Sequence, residues 1–275
     1  MSGPMHFEYQ TESIRTSALQ LDYHLVPWDT QTVGVPVAQI AALTVTDAKQ
    51  AARDYQVFAD WCTRQRIELC SCRLPAERLH DSMFLEEQGF RFIELNYTPW
   101  LTGLQGRQFA DDGVRLESAR DQDRELLADM AARVLRQGRF HQDPRIDPAL
   151  GERRYRQWMI NAFARPTQQV LKCLLENEVA GFFVVEFPEP GHCFWSLTGL
   201  APGLQGSGLG KRVWQAVLER HRSDGIDTVS TSISSHNTAV FNLYVSLGFR
   251  FPSPSVTLQW RPPDSGVLSR HVEEA

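Results

Sequence analysis

Between Gly34 and Gly89 the chain contains no glycine, and nowhere does it hold an apolar run long enough to cross a bilayer. Its most apolar stretch, VAGFFVVEF (179–187), falls far short of the roughly 20 residues that a membrane helix needs. A basic excess is also missing. Lys and Arg total 28 against 33 Asp and Glu, for a net charge of −5. That balance argues against nucleic-acid binding, which calls for a positive surface. The first residues, MSGPMHFEYQTES, have neither the basic start nor the apolar core of a signal peptide, so a cytoplasmic protein without a membrane partner is expected. Five cysteines, Cys62, Cys70, Cys72, Cys173 and Cys193, include no C-x-x-C pair. Reduced, buried thiols are expected, and no metal site.

What remains is an ordinary globular composition, 42% hydrophobic and 22% charged over 275 residues, enough for one large domain or two small ones. In the first half, 21–26, 35–43, 67–74 and 90–98 read as strands, and 47–65 and 76–88 as helices. The second half reads as strand 114–119, helices 121–137 and 147–163, strands 168–176, 179–187 and 192–200, helix 209–223, strand 226–234, helix 237–247 and strand 249–260. The glycine-bearing segment LTGLQGRQFADDG (101–113) is the best linker. The expected domains are therefore 1–103, a linker 104–113, a second domain 114–262 and a flexible tail 263–275.

The tetrapeptide GFRF occurs twice, at 89–92 and 248–251, a spacing of 159 (248 − 89). Laid over one another at that spacing, 67–92 and 226–251 share the order strand, helix, glycine cap, strand, which suggests an internal duplication. The halves differ in chemistry. Only the second carries Gln205-Gly206-Ser207-Gly208-Leu209-Gly210 before a helix, and only the second places Asn237 and Tyr244 seven residues apart on one helical face. The first half has Arg78 and Leu85 there.

A glycine-rich turn between a strand and a helix exposes unpaired N–H groups at the positive end of the helix dipole, which suits a pyrophosphate. The dinucleotide pattern G-x-G-x-x-G fails at Lys211, and the Walker pattern fails at Gln205 and Arg212. Q-x-x-G-x-G fits, through Gln205, Gly208 and Gly210.

With that turn and the later NTAVFNLYVSLGF (237–249), residues 114–260 resemble the GNAT superfamily of acyl-CoA N-acyltransferases. The resemblance implies an α+β GNAT fold with a mixed, mostly antiparallel central sheet, preceded here by a degenerate, partial GNAT-like N-terminal half. It implies acetyl-CoA as cosubstrate and no metal. It also implies that Thr198, Gly199 and Leu200 pair with the pantetheine arm, with the Leu200 N–H against the thioester carbonyl. Gln205, Gly206, Ser207, Gly208, Leu209, Gly210 and Lys211 would hold the pyrophosphate, Asn237 would contact the coenzyme, and Tyr244 would protonate the leaving thiolate. Some peptide-acetylating relatives carry a glutamate base five residues before the asparagine; here that position is Ser232, which leaves the base unassigned.

A second, looser resemblance, through VPWDTQTVGVPVAQI (26–40) and RFHQDPRIDPALGERRYRQWM (139–159), is to dTDP-fucosamine acetyltransferases. It implies a nucleotide-linked amino sugar as the acceptor, met by one or two of the arginines at 133, 136, 139, 145, 153, 154 and 156. Arg139 and His141 are the substrate-binding candidates. His141 and Asp143 are too few for a metal site. Another small amine, a peptide N-terminus, or an acyl-CoA sensor without transfer are the alternatives, and a homodimer is compatible with all of them.

Overall fold

The computed structural model describes residues 10–110, 113–206, 208–263 and 265–269. In chain order its elements begin β1 (Glu12–Arg15), β2 (Leu19–Leu25), α1 (Pro27–Val33), β3 (Val37–Val45), α2 (Ala48–Asp54), α3 (Gln56–Arg64), β4 (Leu69–Pro75), α4 (Leu79–Glu87), β5 (Arg91–Tyr97) and β6 (Trp100–Leu101). They continue β7 (Arg115–Ser118), α5 (Arg124–Val134), α6 (Arg139–Gln142), α7 (Pro148–Phe163), β8 (Gln168–Leu175), β9 (Glu178–Glu189), β10 (His192–Leu200), α8 (Leu209–Ser223), β11 (Thr228–Thr231), β12 (Ile233–Ser234), α9 (Thr238–Ser246) and β13 (Ser255–Trp260). Among the described residues no helix is long and apolar enough to cross a membrane.

The chain forms two compact units. The first comprises Met1–Asn96, Arg139–Leu150 and Ser253–Ala275; the second comprises Tyr97–Gly138 and Gly151–Pro252. These units differ from the division expected at 104–113. The last strand of the second half, β13, lies in the first unit, antiparallel to β4 and β5. β6, from the first half, lies in the second unit, antiparallel to β11. Each unit thus takes its closing strand from the other half of the sequence. The exchange keeps the duplication's spacing, since Gln259 faces Ser71 as Trp100 faces Ser230, and both pairs are offset by 159 (259 − 100, 230 − 71).

The repeated GFRF marks the common entry to this arrangement. Gly89 and Gly248 end their helices at φ +89° and +87°, a left-handed conformation that suits glycine. Phe90 N–H then bonds the Leu85 carbonyl, and Phe249 N–H bonds the Tyr244 carbonyl, each at 3.0 Å. The strand expected over 249–260 begins only at Ser255, after Pro252 and Pro254, because proline cannot donate to a ladder.

The first unit's sheet runs β1-β2-β3-β4-β13-β5. Tyr23, Phe58, Trp61 and Phe84 fill its main core with Leu258 of β13. A smaller core, built from Val37 and Leu69 on the sheet with Phe140, Ile146, Leu150 and Leu268, anchors α6 and the C-terminal segment. Of the tail expected to be flexible, residues 264 and 270–275 lie outside the described residues, and Leu268 is held by its N–H bond to the Arg145 carbonyl at 2.8 Å. Arg261 fastens the same segment by donating to the carbonyls of Arg145 and Gly266.

The second unit's sheet runs β6-β11-β10-β9-β8-β7, antiparallel except for the β10–β11 pair. The β8–β9 hairpin turns through Glu176 and Asn177, both at positive φ as a type I′ turn requires, one residue earlier than the sequence suggests. One sheet face packs Phe183, Trp195 and Val229 against α8 and α9; the other packs Phe182, Val184 and Leu197 against α5 and α7. The five cysteines are free and buried, and burial pushes the Cys62 and Cys193 thiols up to about 12, as suits packing rather than chemistry.

Candidate active site

The site begins where two parallel strands part. β10 and β11 pair from His192↔Thr228 to Trp195↔Thr231 and no further, while β10 runs on to Leu200 along β9. A bulge at Ser196, between Trp195↔Val185 and Leu197↔Val184, adds twist at the parting point. Ala201 N–H bonds the Ala180 carbonyl, toward β9. Backbone groups alternate along a strand, so the N–H of Leu200, and that of Thr198 before it, face the edge that β11 has left. Gly199 has no room for a side chain: a Cβ there would lie 2.8 Å from both Phe182 and Val134.

After β10 the chain turns through Gly206 and Gly208, at φ +76° and +82°, into α8. The N-cap residue of α8 is Gly208, which has no side chain to cap the helix, and the positive end of the helix dipole there suits an anion. Gln205 reaches back to the Leu200 carbonyl at 3.4 Å. Leu209, Gly210 and the exposed Lys211 form the first turn, with Gly210 close to Leu200 and Leu243. Ser207, expected in the cradle, lies outside the described residues.

α9 supplies the other two groups. The side chain of Asn237 caps this helix by accepting from the Val240 N–H at 3.3 Å. Tyr244 is 1% exposed and packs against Trp195 and Phe249. Burial raises its hydroxyl above the usual phenol value near 10, and hydrogen bonding with Thr198, Trp214 and Thr231 partly offsets this. The indole Nε1 of Trp214 nonetheless has no partner of ordinary hydrogen-bond geometry. Thr231 in turn donates to the Trp195 carbonyl at 2.9 Å. Thr198, half-buried on β10, thus joins Tyr244 to the open edge. Neither threonine's part in holding Tyr244 was read from the sequence.

Behind this layer the Trp195 indole donates to His221 Nε2 at 3.0 Å, which requires a neutral imidazole. Burial depresses the His221 pKa to about 4; Asp224 opposes this slightly and Arg220 adds to it. The unfolded chain takes up this proton near pH 6.5, whereas the native chain resists it until about 4. Native stability is therefore expected to fall as pH drops through that window, by about 1.4 kcal/mol per unit, or roughly 3 kcal/mol in all. Urea midpoints measured from pH 7 to 4 check this, and His221→Gln should flatten the dependence.

The first unit has the same frame with its openings filled. β3 pairs with β4 from Val37↔Leu69 to Ile40↔Cys72 and then runs on along β2 to Val45, with a matching bulge at Ala41. By that register Val45 is the counterpart of Leu200 (45 − 40 = 200 − 195). Its N–H is taken by the buried Asp81 carboxylate at 2.8 Å, and Asp81 pairs with Arg78, which stands where the second half has Asn237. Arg78 also donates to Thr44. The start of α2 is closed as well, since the Asp47 carboxylate accepts from Lys49 N–H and Gln50 N–H.

The substrate-binding candidates Arg139 and His141 lie on α6, in the first unit. Arg139 pairs with Asp29, a carboxylate 1% exposed, at 3.2 Å. Other arginines of the 133–156 cluster also have acidic partners: Arg136 with Glu152, Arg145 with Asp143, and Arg156 with Glu125 and Asp129. The exposed Ser232 offers only a hydroxyl where the sequence invites a base. Among the described residues no group of three His, Cys, Asp or Glu side chains is placed to hold a metal ion.

Residues 133–249 match the model of the acetyltransferase (GNAT) family. The chain has the GNAT fold. A GCN5-related N-acetyltransferase from Sphaerobacter thermophilus superposes with a TM-score of 0.62 at 11% identity, covering 91% of this chain and 79% of that one. A tandem GNAT protein from the clavulanic acid biosynthesis pathway superposes with a TM-score of 0.58 at 15% identity, covering 91% and 82%. In sequence, a mycothiol acetyltransferase from Renibacterium salmoninarum is 38% identical over 53 residues. That stretch spans only 19% of this chain and 16% of the relative. The tandem neighbour accords with two GNAT-like units in one chain.

Proposed function

We propose that the second unit is an acetyl-CoA-dependent N-acetyltransferase acting on the primary amine of a small, hydrophilic acceptor. The observation that carries this reading is the open edge of β10, whose Leu200 N–H faces the gap left by β11, with Tyr244 set against the same strand through Thr198. The glycine turn and the start of α8, whose N-cap is Gly208, suit the pyrophosphate of coenzyme A, which needs N–H donors and no Cβ in the way.

The chemistry follows from those groups. The amine nitrogen bonds the thioester carbon, and the carbonyl oxygen gains the negative charge that an oriented N–H stabilises. The C–S bond then breaks, the electron pair leaves with sulfur, and the ammonium loses its extra proton. Tyr244, held protonated by burial, donates a hydrogen bond to the departing sulfur. A phenol above 10 is a weaker acid than a thiol near 8.5, so full transfer of its proton needs replacement from the acceptor's ammonium. The neutral-pH limb of the rate profile is accordingly assigned to the acceptor amine.

The relative named for acetylation of mycothiol is consistent with a small-molecule acceptor. A nucleotide sugar is less well supported, because Arg136, Arg139, Arg145 and Arg156 already face acidic partners. The test is amine-dependent release of the coenzyme A thiol, with the N-acetylated product identified by mass, across amino sugars, nucleotide amino sugars, polyamines and peptides. Turnover with a small amine supports the reading. Turnover with peptides alone would replace the acceptor class, and binding without turnover on any amine would replace transfer by sensing.

A further inference from the structure

The first unit's sheet has two unlike faces. One is the apolar core already described. The other begins apolar at Val37 and Leu69, which pack under Phe140 and Leu268, and turns polar further along the strands. There Ser71 and Arg73 of β4 lie beside Gln259 and Thr257 of β13, and Thr257 also faces Glu94 of β5. Residues two apart on a strand share a face, so these side chains form one patch across three adjacent strands. Arg73 donates to the Thr257 hydroxyl at 3.2 Å and pairs with one oxygen of Glu94 at 3.5 Å.

Three atoms of this patch are left over. Both the amide nitrogen and the amide oxygen of Gln259 lack a hydrogen-bond partner among the described residues, and so does Oε2 of Glu94. Gln259 is 0% exposed and Glu94 2%. A buried polar group left unpaired costs about 1–3 kcal/mol, more when charged, so side chains chosen for stability alone would be apolar here. Gln259, moreover, comes from the exchanged strand, which places it opposite Ser71 at a central position of the sheet.

We propose that this patch is a binding site for a small hydroxylated amine, such as an amino sugar or amino polyol. The side-chain amide of Gln259 offers both a donor and an acceptor, which suits hydroxyl groups that do both. The free oxygen of Glu94 is an anionic acceptor and selects a hydroxyl or an ammonium. It also disfavours a phosphate or carboxylate, because the nearby Arg73 charge is already engaged by Glu94 and gives no surplus of positive charge. Both side chains are buried, so association is expected to be much slower than an encounter limited by diffusion.

The experiment is calorimetric titration of glucosamine, and of glucose as the analogue without the amine, into the full chain with no acetyl-CoA present. Saturable glucosamine binding is expected, weakened at least tenfold by Gln259→Leu and by Glu94→Gln, with glucose binding more weakly than glucosamine to the parent chain. Gln259→Leu should keep or raise the unfolding midpoint, because it removes two orphaned atoms. No saturable binding of glucosamine, or binding equal in the parent chain and both variants, overturns the proposal. So does a crystal structure in which ordered waters complete all three atoms in glucosamine-soaked crystals. Because acetyl-CoA is absent from the titration, this result stands or falls separately from acetyl transfer.

Discussion

Tyr244→Phe is expected to lower kcat by about 10²–10⁴-fold, the usual worth of a positioned proton donor, while leaving acetyl-CoA affinity within a few fold. The ring is fully buried against Trp195 and Phe249, and phenylalanine fills the same volume, so the fold should survive the change. What is lost is one hydroxyl that sits with Thr198 and Thr231. Steady-state kinetics with thiol detection and a separate titration of acetyl-CoA distinguish the two quantities. Equal loss of binding and turnover would assign Tyr244 to packing, and an unchanged kcat would remove it from the reaction.

The second large effect concerns the exchanged strands. A chain ending at Pro252 is expected to lose the folded first unit, because β13 is a central strand there, paired on both sides, and Leu258 is 0% exposed in its core. Even Leu258→Ala should cost about 2–5 kcal/mol, a large fraction of the 5–15 kcal/mol that a whole domain commands. By the same reasoning neither half-chain, cut within 104–113, should fold alone, since each lacks its closing strand. Coexpression of the two halves should restore a soluble complex. The check is circular dichroism and size exclusion on the separate and coexpressed pieces. A half-chain that folds cooperatively by itself would show that the exchanged strand is dispensable.

Local signals account for what the sequence conveyed. The 209–223 helix, with its apolar period and the glycine turn before it, appears in the structure with those same bounds. Gly89 and Gly248 announced both helix ends, and Asp47, at the start of the expected helix, caps α2. The single helix expected over 47–65 instead forms as α2 and α3, joined at Tyr55. The elements that went unread are short or depend on distant partners. β6 has two residues and exists only because Trp100 and Leu101 pair with Ser230 and Val229. α6 has four, and its Phe140 is held by residues from both ends of the chain.

The strand exchange left no local mark either. FRFPSPSVTLQW has the same strand pattern whichever sheet accepts it, and only the prolines hinted that the first part does not pair. In the site, the glycine turn, Asn237 and Tyr244 could be read because their spacing is within one segment. The closure of the first unit could not, since Asp81 meets Val45 across 36 positions of sequence.

That closure makes the sharpest claim about the molecule: two similar frames, one donor site. Isothermal titration of acetyl-CoA into the full chain tests it directly. The account predicts one molecule bound per chain, with binding lost on Gly208→Asp, which sets a carboxylate at the start of α8, and unchanged on Asp47→Ala. Two molecules per chain, or a single one that survives Gly208→Asp, would contradict it.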